Sequence, residues 1–269
     1  MSYPFRMAAL LLLGTSACRP DQPSQPATEP PPAAPPKIAA ASVSAPTAAG
    51  PTDTLHLPGG QVVQLRPTTA AAFYKLPVSR LPDLANEPGA EHLPTGSQVR
   101  RQGLDLLLQP AQGNVVQLAS TPDAQFTLQN GNGVKYMYWG TLPAAHQWVV
   151  RAWYWESDAT VLVDQRTGRH LAVPGHPVAS PDGRYIVLTS PGLGGGDQSN
   201  TLALVQVEAT GPHLLWQREP TAWEPVAAAW AAPNRVVLKR RHTLTDGSMA
   251  DDAQVTYDEL TLPRPAPAP

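Results

Sequence analysis

The chain has almost no sulfur chemistry to draw on: of its 269 residues only Cys18 is a cysteine. One thiol cannot close an intramolecular disulfide, so stability has to come from packing. Charge is scarce as well, and 19 Lys and Arg against 21 Asp and Glu give a formal net charge of −2. Without a basic excess there is no electrostatic footprint for nucleic acid, and no nucleic-acid partner is expected. No apolar run approaches the about 20 residues that a membrane-spanning helix needs. Also missing are a capped segment with sustained helical periodicity, a Gly-x-Ser-x-Gly elbow, and histidines at the spacing of zinc proteases. The seven histidines (His56, His92, His146, His170, His176, His213, His242) are scattered. On these grounds no catalytic residue, metal site or cofactor is assigned.

Proline is what the chain has in excess, with 32 residues unevenly placed. Ten fall between Pro20 and Pro51, and four lie in the closing PRPAPAP. The stretch from Arg19 to Pro51 has no aromatic residue and too little apolar surface to offset its ordering entropy. It reads as a disordered spacer, extended by polyproline II at about 3.1 Å per residue. A different text precedes it. Arg6 and the amino terminus supply positive charge, MAALLLL (Met7 to Leu13) supplies an apolar core, and Gly14 to Ala17 are small.

Thr15-Ser16-Ala17-Cys18 resembles the lipobox that ends bacterial lipoprotein signal peptides. There the cysteine receives a diacylglycerol thioether. Ser16, Ala17 and Cys18 match; Thr15 stands where leucine is commonest, which leaves ordinary cleavage after Ala17 as the alternative. The resemblance implies an export leader, lipid attachment at Cys18 and residence in the bacterial cell envelope. Each buried methylene of such an anchor contributes about 0.8 kcal/mol. Arg19 is not the aspartate associated with inner-membrane retention, so the outer membrane is the expected partner, with the leaflet open. Removal of the leader with Arg6 would take the net charge to about −3. The expected division is 1–17 signal peptide, 18–52 lipid-anchored Pro/Ala-rich linker, 53–262 folded domain, and 263–269 Pro-rich tail.

The folded part is written in strands. TVLVDQRTGRHLAV (Thr160 to Val173) reads as strand, Thr-Gly turn, strand. HPVASPDGRYIVLTS (His176 to Ser190) is a strand pair around Ser-Pro-Asp-Gly, in which Pro181 presets the turn and Gly183 accepts positive φ. Further strands are expected at Leu104–Gln109, Lys135–Gly140, His146–Glu156, Thr201–Glu208, His213–Gln217, Asn234–Arg241 and Val255–Leu262. Prolines interrupt every candidate element between Arg66 and Gly103. The class is all-β. Thr160 to Ser190 resembles the blades of the Tol-system propeller and of WD-like repeats. A degenerate copy follows at Leu202–Gln217 and Pro225–Arg241, and a fainter one at Leu106–Gln129 with Pro122-Asp123 in the turn position. The resemblance implies a propeller or partial propeller of antiparallel blades, with a β-sandwich as the alternative. A propeller says little about activity.

The residues with most to offer are aromatic. Tyr136, Tyr138, Trp139, Trp148, Trp153, Tyr154 and Trp155 crowd into a probable hairpin. Alternation sends Trp153 and Trp155 to one face with Arg151, and Trp148 and Tyr154 to the other. One face must be core; the other could stack sugar rings or grip a protein. Tyr136, Tyr138, Trp139, Trp148, Trp153 and Trp155 are therefore the expected binding surface. The Gly-rich SPGLGGGDQSN (Ser190 to Asn200) lacks the Lys-Ser/Thr of a phosphate loop and reads as a hairpin loop. KRRH (Lys239 to His242) reads as a solvated strand end. The expected function is that of a non-enzymatic envelope binding or scaffold protein with a protein or glycan partner. The alternative is a hydrolase of envelope polymers whose site assembles only in the fold.

Overall fold

A computed structural model describes residues 54–57, 62–77, 81–82, 91–194, 198–244, 248 and 254–262. The leader, Cys18, the linker, the tail and the acidic pair Asp251-Asp252 lie outside the described residues. The described residues form an all-β domain. Its strands are β1 (Thr54–His56), β2 (Val62–Pro67), β3 (Val99–Gln102), β4 (Asp105–Leu108), β5 (Val116–Ala119), β6 (Lys135–Leu142), β7 (Gln147–Trp153) and β8 (Asp158–Asp164). They continue with β9 (His170–Val173), β10 (His176–Ala179), β11 (Tyr185–Ser190), β12 (Thr201–Glu208), β13 (Gly211–Arg218), β14 (Trp223–Ala232), β15 (Arg235–His242) and β16 (Val255–Thr261). One short helix, α1 (Ala70–Tyr74), follows β2 and is capped by the Thr69 hydroxyl, which accepts from Ala72 N.

The strands pair into four antiparallel sheets. In chain order these are β3-β4-β5, then β6-β7-β8-β9, then β10-β11-β12-β13. The fourth is β1-β2-β16-β15-β14, which joins the two ends of the domain through Leu65 opposite Leu260. Neighbouring strands connect through short turns whose residues explain them. Asp164 caps the β8–β9 turn, receiving N–H groups from Arg166 and Thr167, while Gly168 takes φ +73°. In the β10–β11 turn Gly183 takes φ +70°, and a Cβ there would come within 1.7 Å of the Ala144 carbonyl oxygen. Only glycine fits both the angle and the space.

The sheets pack face to face in sequence. Val99, Leu106, Leu108 and Leu118 of the first sheet meet Tyr138, Trp148, Val150 and Val163 of the second. The other face of the second, through Val149 and Leu162, meets Ile186, Leu188, Ala203 and Val205 of the third. The third turns Tyr185, Val187, Leu204 and Trp216 toward Trp230, Leu238 and Leu260 of the fourth. Phe73 of α1 covers the far side of the fourth, against Ala229 and Val237. The two central sheets are thus buried on both faces. That is why β8 and β11 read as unbroken apolar runs rather than alternating ones. Each Leu or Val so buried contributes about 1.5–3 kcal/mol.

Several expectations need correction. The repeat read at Thr160 to Ser190 is not one sheet: β8 and β9 belong to the second sheet, β10 and β11 to the third. The degenerate copy is divided in the same way between the third and fourth. Pro122-Asp123 does not turn a hairpin; Asp123–Gln125 is a 3-10 turn leading toward β6. The corresponding hairpin turn of the second sheet is Pro143–Ala145, closed by His146 at φ +52°. The unreadable stretch from Arg66 to Gly103 holds α1 and β3, both too short to carry a periodic signal.

Candidate functional site

The aromatic hairpin forms, with β6 and β7 antiparallel, and its rings divide between three environments. Tyr138 and Trp148 are core, sealed between the first two sheets, with Tyr136 and Tyr154 packed at the margin. Burial pushes the Tyr138 phenol up, partly offset by its hydrogen bond of 2.7 Å with the Thr141 hydroxyl. These four rings are structural, which corrects their place in the expected binding surface for Tyr136, Tyr138 and Trp148.

Trp139 is different. The register shifts between Tyr138 and Gly140, so Trp139 is the extra residue of a bulge, and its ring packs toward the third sheet. Gly140 takes φ +154°, and a Cβ there would meet Leu81 at 2.7 Å. The Trp139 indole N–H donates to the Pro82 carbonyl at 2.7 Å, and its ring stands edge-on to His176 at 5.0 Å between centroids. Trp153 ends β7 and Trp155 lies beyond it. The two are joined by Phe126, whose ring centroid is 6.2 Å from Trp153 and 5.8 Å from Trp155. Trp155 is 49% exposed.

Between the second and third sheets, beside these rings, opens a cleft of about 360 Å³. Its lining includes Trp139, Arg151, Asp158, His176, Ser190 and Gln198. Arg151 Nε donates to Asp158 Oδ2, with each side chain about one quarter exposed. Gln198 Oε1 accepts the Asp158 N–H at 3.2 Å. Asp158 lies directly opposite Trp153 across the β7–β8 ladder, so the Phe126–Trp153–Trp155 cluster adjoins the cleft. Arg151 was placed with Trp153 by alternation. Asp158, Phe126 and Gln198 had no such signal, because they come from other strands and loops.

A second cavity of about 340 Å³ lies among Pro143, Ala144, Ser180, Pro181 and Trp230, at the turns rather than at the cleft. Ser180 is buried; its hydroxyl donates to Asp182 at 2.7 Å and accepts the Tyr185 N–H at 3.0 Å. Burial raises the Asp182 carboxyl, but hydrogen bonds from Ser180 and Arg184 outweigh it and hold the group below the usual carboxylate range. A turn so occupied has no spare nucleophile.

Two charged pairs of the fourth sheet are structural. Arg240 and Asp258 are both buried, with guanidinium N–H groups 2.6 and 2.8 Å from the carboxylate and the Trp223 ring 4.8 Å from the guanidinium carbon. Arg241 donates to the buried Glu224 at 2.6 Å. The expectation that KRRH is a solvated strand end is thus corrected for its two arginines: Arg240 and Arg241 are engaged by acids of the fourth sheet. Among the described residues no group of three or more His, Cys, Asp or Glu is placed to hold a metal ion. His170 lies on the second sheet, with Nδ1 3.4 Å from the Gly168 carbonyl, and His176 on the third, against Trp139. Comparison with protein-family models, with curated proteins and with solved structures finds no match.

Proposed function

We propose that this chain is a lipid-anchored, non-enzymatic binding protein of the bacterial cell envelope, contacting its ligand through the cleft between the second and third sheets. The observation that carries the binding reading is the union of an exposed indole, Trp155, with a cleft that carries polar groups and reaches its cluster where Asp158 stands opposite Trp153. Trp155 packs one side on Phe126 and leaves about half its surface to solvent, and clustered aromatic surfaces rimmed by polar groups are typical of contact sites. The anchor rests on the Cys18 lipobox alone. The ring-like arrangement implied by the repeats is part of the same proposal: four sheets that advance two strands out of step with the repeat, with first and last strands sharing one sheet, suit a small propeller.

The competing reading is hydrolysis of an envelope polymer. Asp158 and His176, which line the same cleft, are the groups it would enlist. Asp158 already accepts a hydrogen bond from Arg151, and among the described residues no second carboxylate lines the cleft to share acid and base roles with it. Two measurements test the proposal. Mass spectrometry of protein from its native host should find a diacylglyceryl group on Cys18; an unacylated cysteine would undo the envelope placement. Incubation of the purified chain with peptidoglycan should yield no shortened product, and catalytic release of fragments would overturn the non-enzymatic reading.

A further inference from the structure

We infer that the cleft takes a neutral saccharide chain, with one sugar between Trp139 and the Arg151–Asp158 pair and the next on the Phe126–Trp153–Trp155 platform. The inference rests on the binding reading above and assigns its ligand class. Electrostatics comes first. Arg151 and Asp158 cancel each other, so the cleft carries no charge that would recruit an anion, a cation or a nucleic-acid backbone. What it offers is guanidinium donors, carboxylate acceptors, the Gln198 amide, the His176 imidazole and the Ser190 hydroxyl within one lining. Vicinal sugar hydroxyls both donate and accept, and they complement such a mixed set.

Shape and rigidity agree. The Trp139 ring is fixed by its N–H bond to Pro82 and its edge contact with His176, so no rotamer need be frozen when a pyranose C–H face stacks on it. A volume of about 360 Å³ falls at the small end of ligand sites, enough for one sugar unit rather than a folded partner. The platform beyond it begins at Trp153, which stands opposite the cleft residue Asp158 across the ladder. An extended peptide fits less well. Strand addition would have to use β6 or β10, the edge strands that carry Trp139 and His176, and would leave the side-chain donors and acceptors of the central strands β7 and β8 without a matching partner.

The test is a titration of the full chain, followed by tryptophan emission, with cellohexaose, xylohexaose, maltohexaose and chitohexaose. At least one should bind saturably, with a dissociation constant on the order of 10 µM to 1 mM, and at least tenfold more tightly than its monosaccharide. Trp155→Ala, at an exposed position, should weaken that hexamer about tenfold with an unchanged melting temperature, and Asp158→Asn should abolish binding. Leu104→Ala, exposed on the first sheet, should change nothing. If Asp158→Asn unfolds, the Trp155 variant alone decides. Failure of all four hexamers to bind the folded chain overturns the saccharide inference. Random-sequence peptides that quench emission in a Trp155-dependent way would sink it too, yet leave the binding reading standing. Shortening of a bound hexamer would keep the saccharide and remove the non-enzymatic reading.

Discussion

At the residue scale the clearest lesson is a buried carboxylate whose desolvation is outweighed by the hydrogen bonds it accepts. Asp164 is wholly buried and receives hydrogen bonds from Gln147, from the backbone of Arg166 and Thr167, and from the Arg166 guanidinium, which also reaches the Glu208 carbonyl on the next sheet. Burial alone would raise its carboxyl; the hydrogen bonds outweigh that and hold it below the ordinary range. A carboxylate so depressed stabilises the fold above its unfolded value of about 3.9, and that contribution disappears as pH falls through the folded value. Asp164→Asn should therefore cost about 2 kcal/mol near neutral pH, by urea denaturation, because several charge-assisted bonds are lost. The gap between the variant and the parent should close on acidification below pH about 4. A gap independent of pH would assign the effect to shape rather than charge.

At the element scale the turns decide where side chains go. Gly183 sits in a left-handed conformation with the Ala144 backbone against it, so the β10–β11 turn and the β6–β7 turn are in contact across two sheets. Gly183→Ala should lower stability by about 2 kcal/mol or more, since both the angle and the contact are violated, and thermal melting checks it. Substitution of Gly131, where an added Cβ meets nothing and φ is ordinary, should leave the melting temperature nearly unchanged. The Ser-Pro-Asp-Gly turn was legible beforehand, because each of its residues has a local reason to be there. The bulge at Trp139 was not. It depends on an extra residue opposed to one partner on β7, a relation between two strands that no run of β6 alone encodes.

At the scale of the whole molecule the fourth sheet holds the domain together, since it recruits β1 and β2 from the beginning of the domain and β14 to β16 from its end. Arg66 and Glu259 face each other across that junction. Replacing both with cysteine should give a disulfide that raises stability by about 3–5 kcal/mol in denaturant and vanishes on reduction, because the closed loop spans nearly the whole domain. An unpaired double variant would contradict the β2–β16 register. By itself the sequence determined the all-β class, the hairpins with strong turn chemistry and the clustering of aromatic residues, for these rest on alternation, propensity and turn residues that act over a few positions. Only the tertiary structure decided that four aromatic rings of the hairpin are packing, that Arg240 and Arg241 are engaged by buried acids, and that Asp158 at the cleft stands opposite Trp153, with Phe126 against it. Those outcomes depend on which sheet lies against which face, and face-to-face packing joins residues that are far apart along the chain.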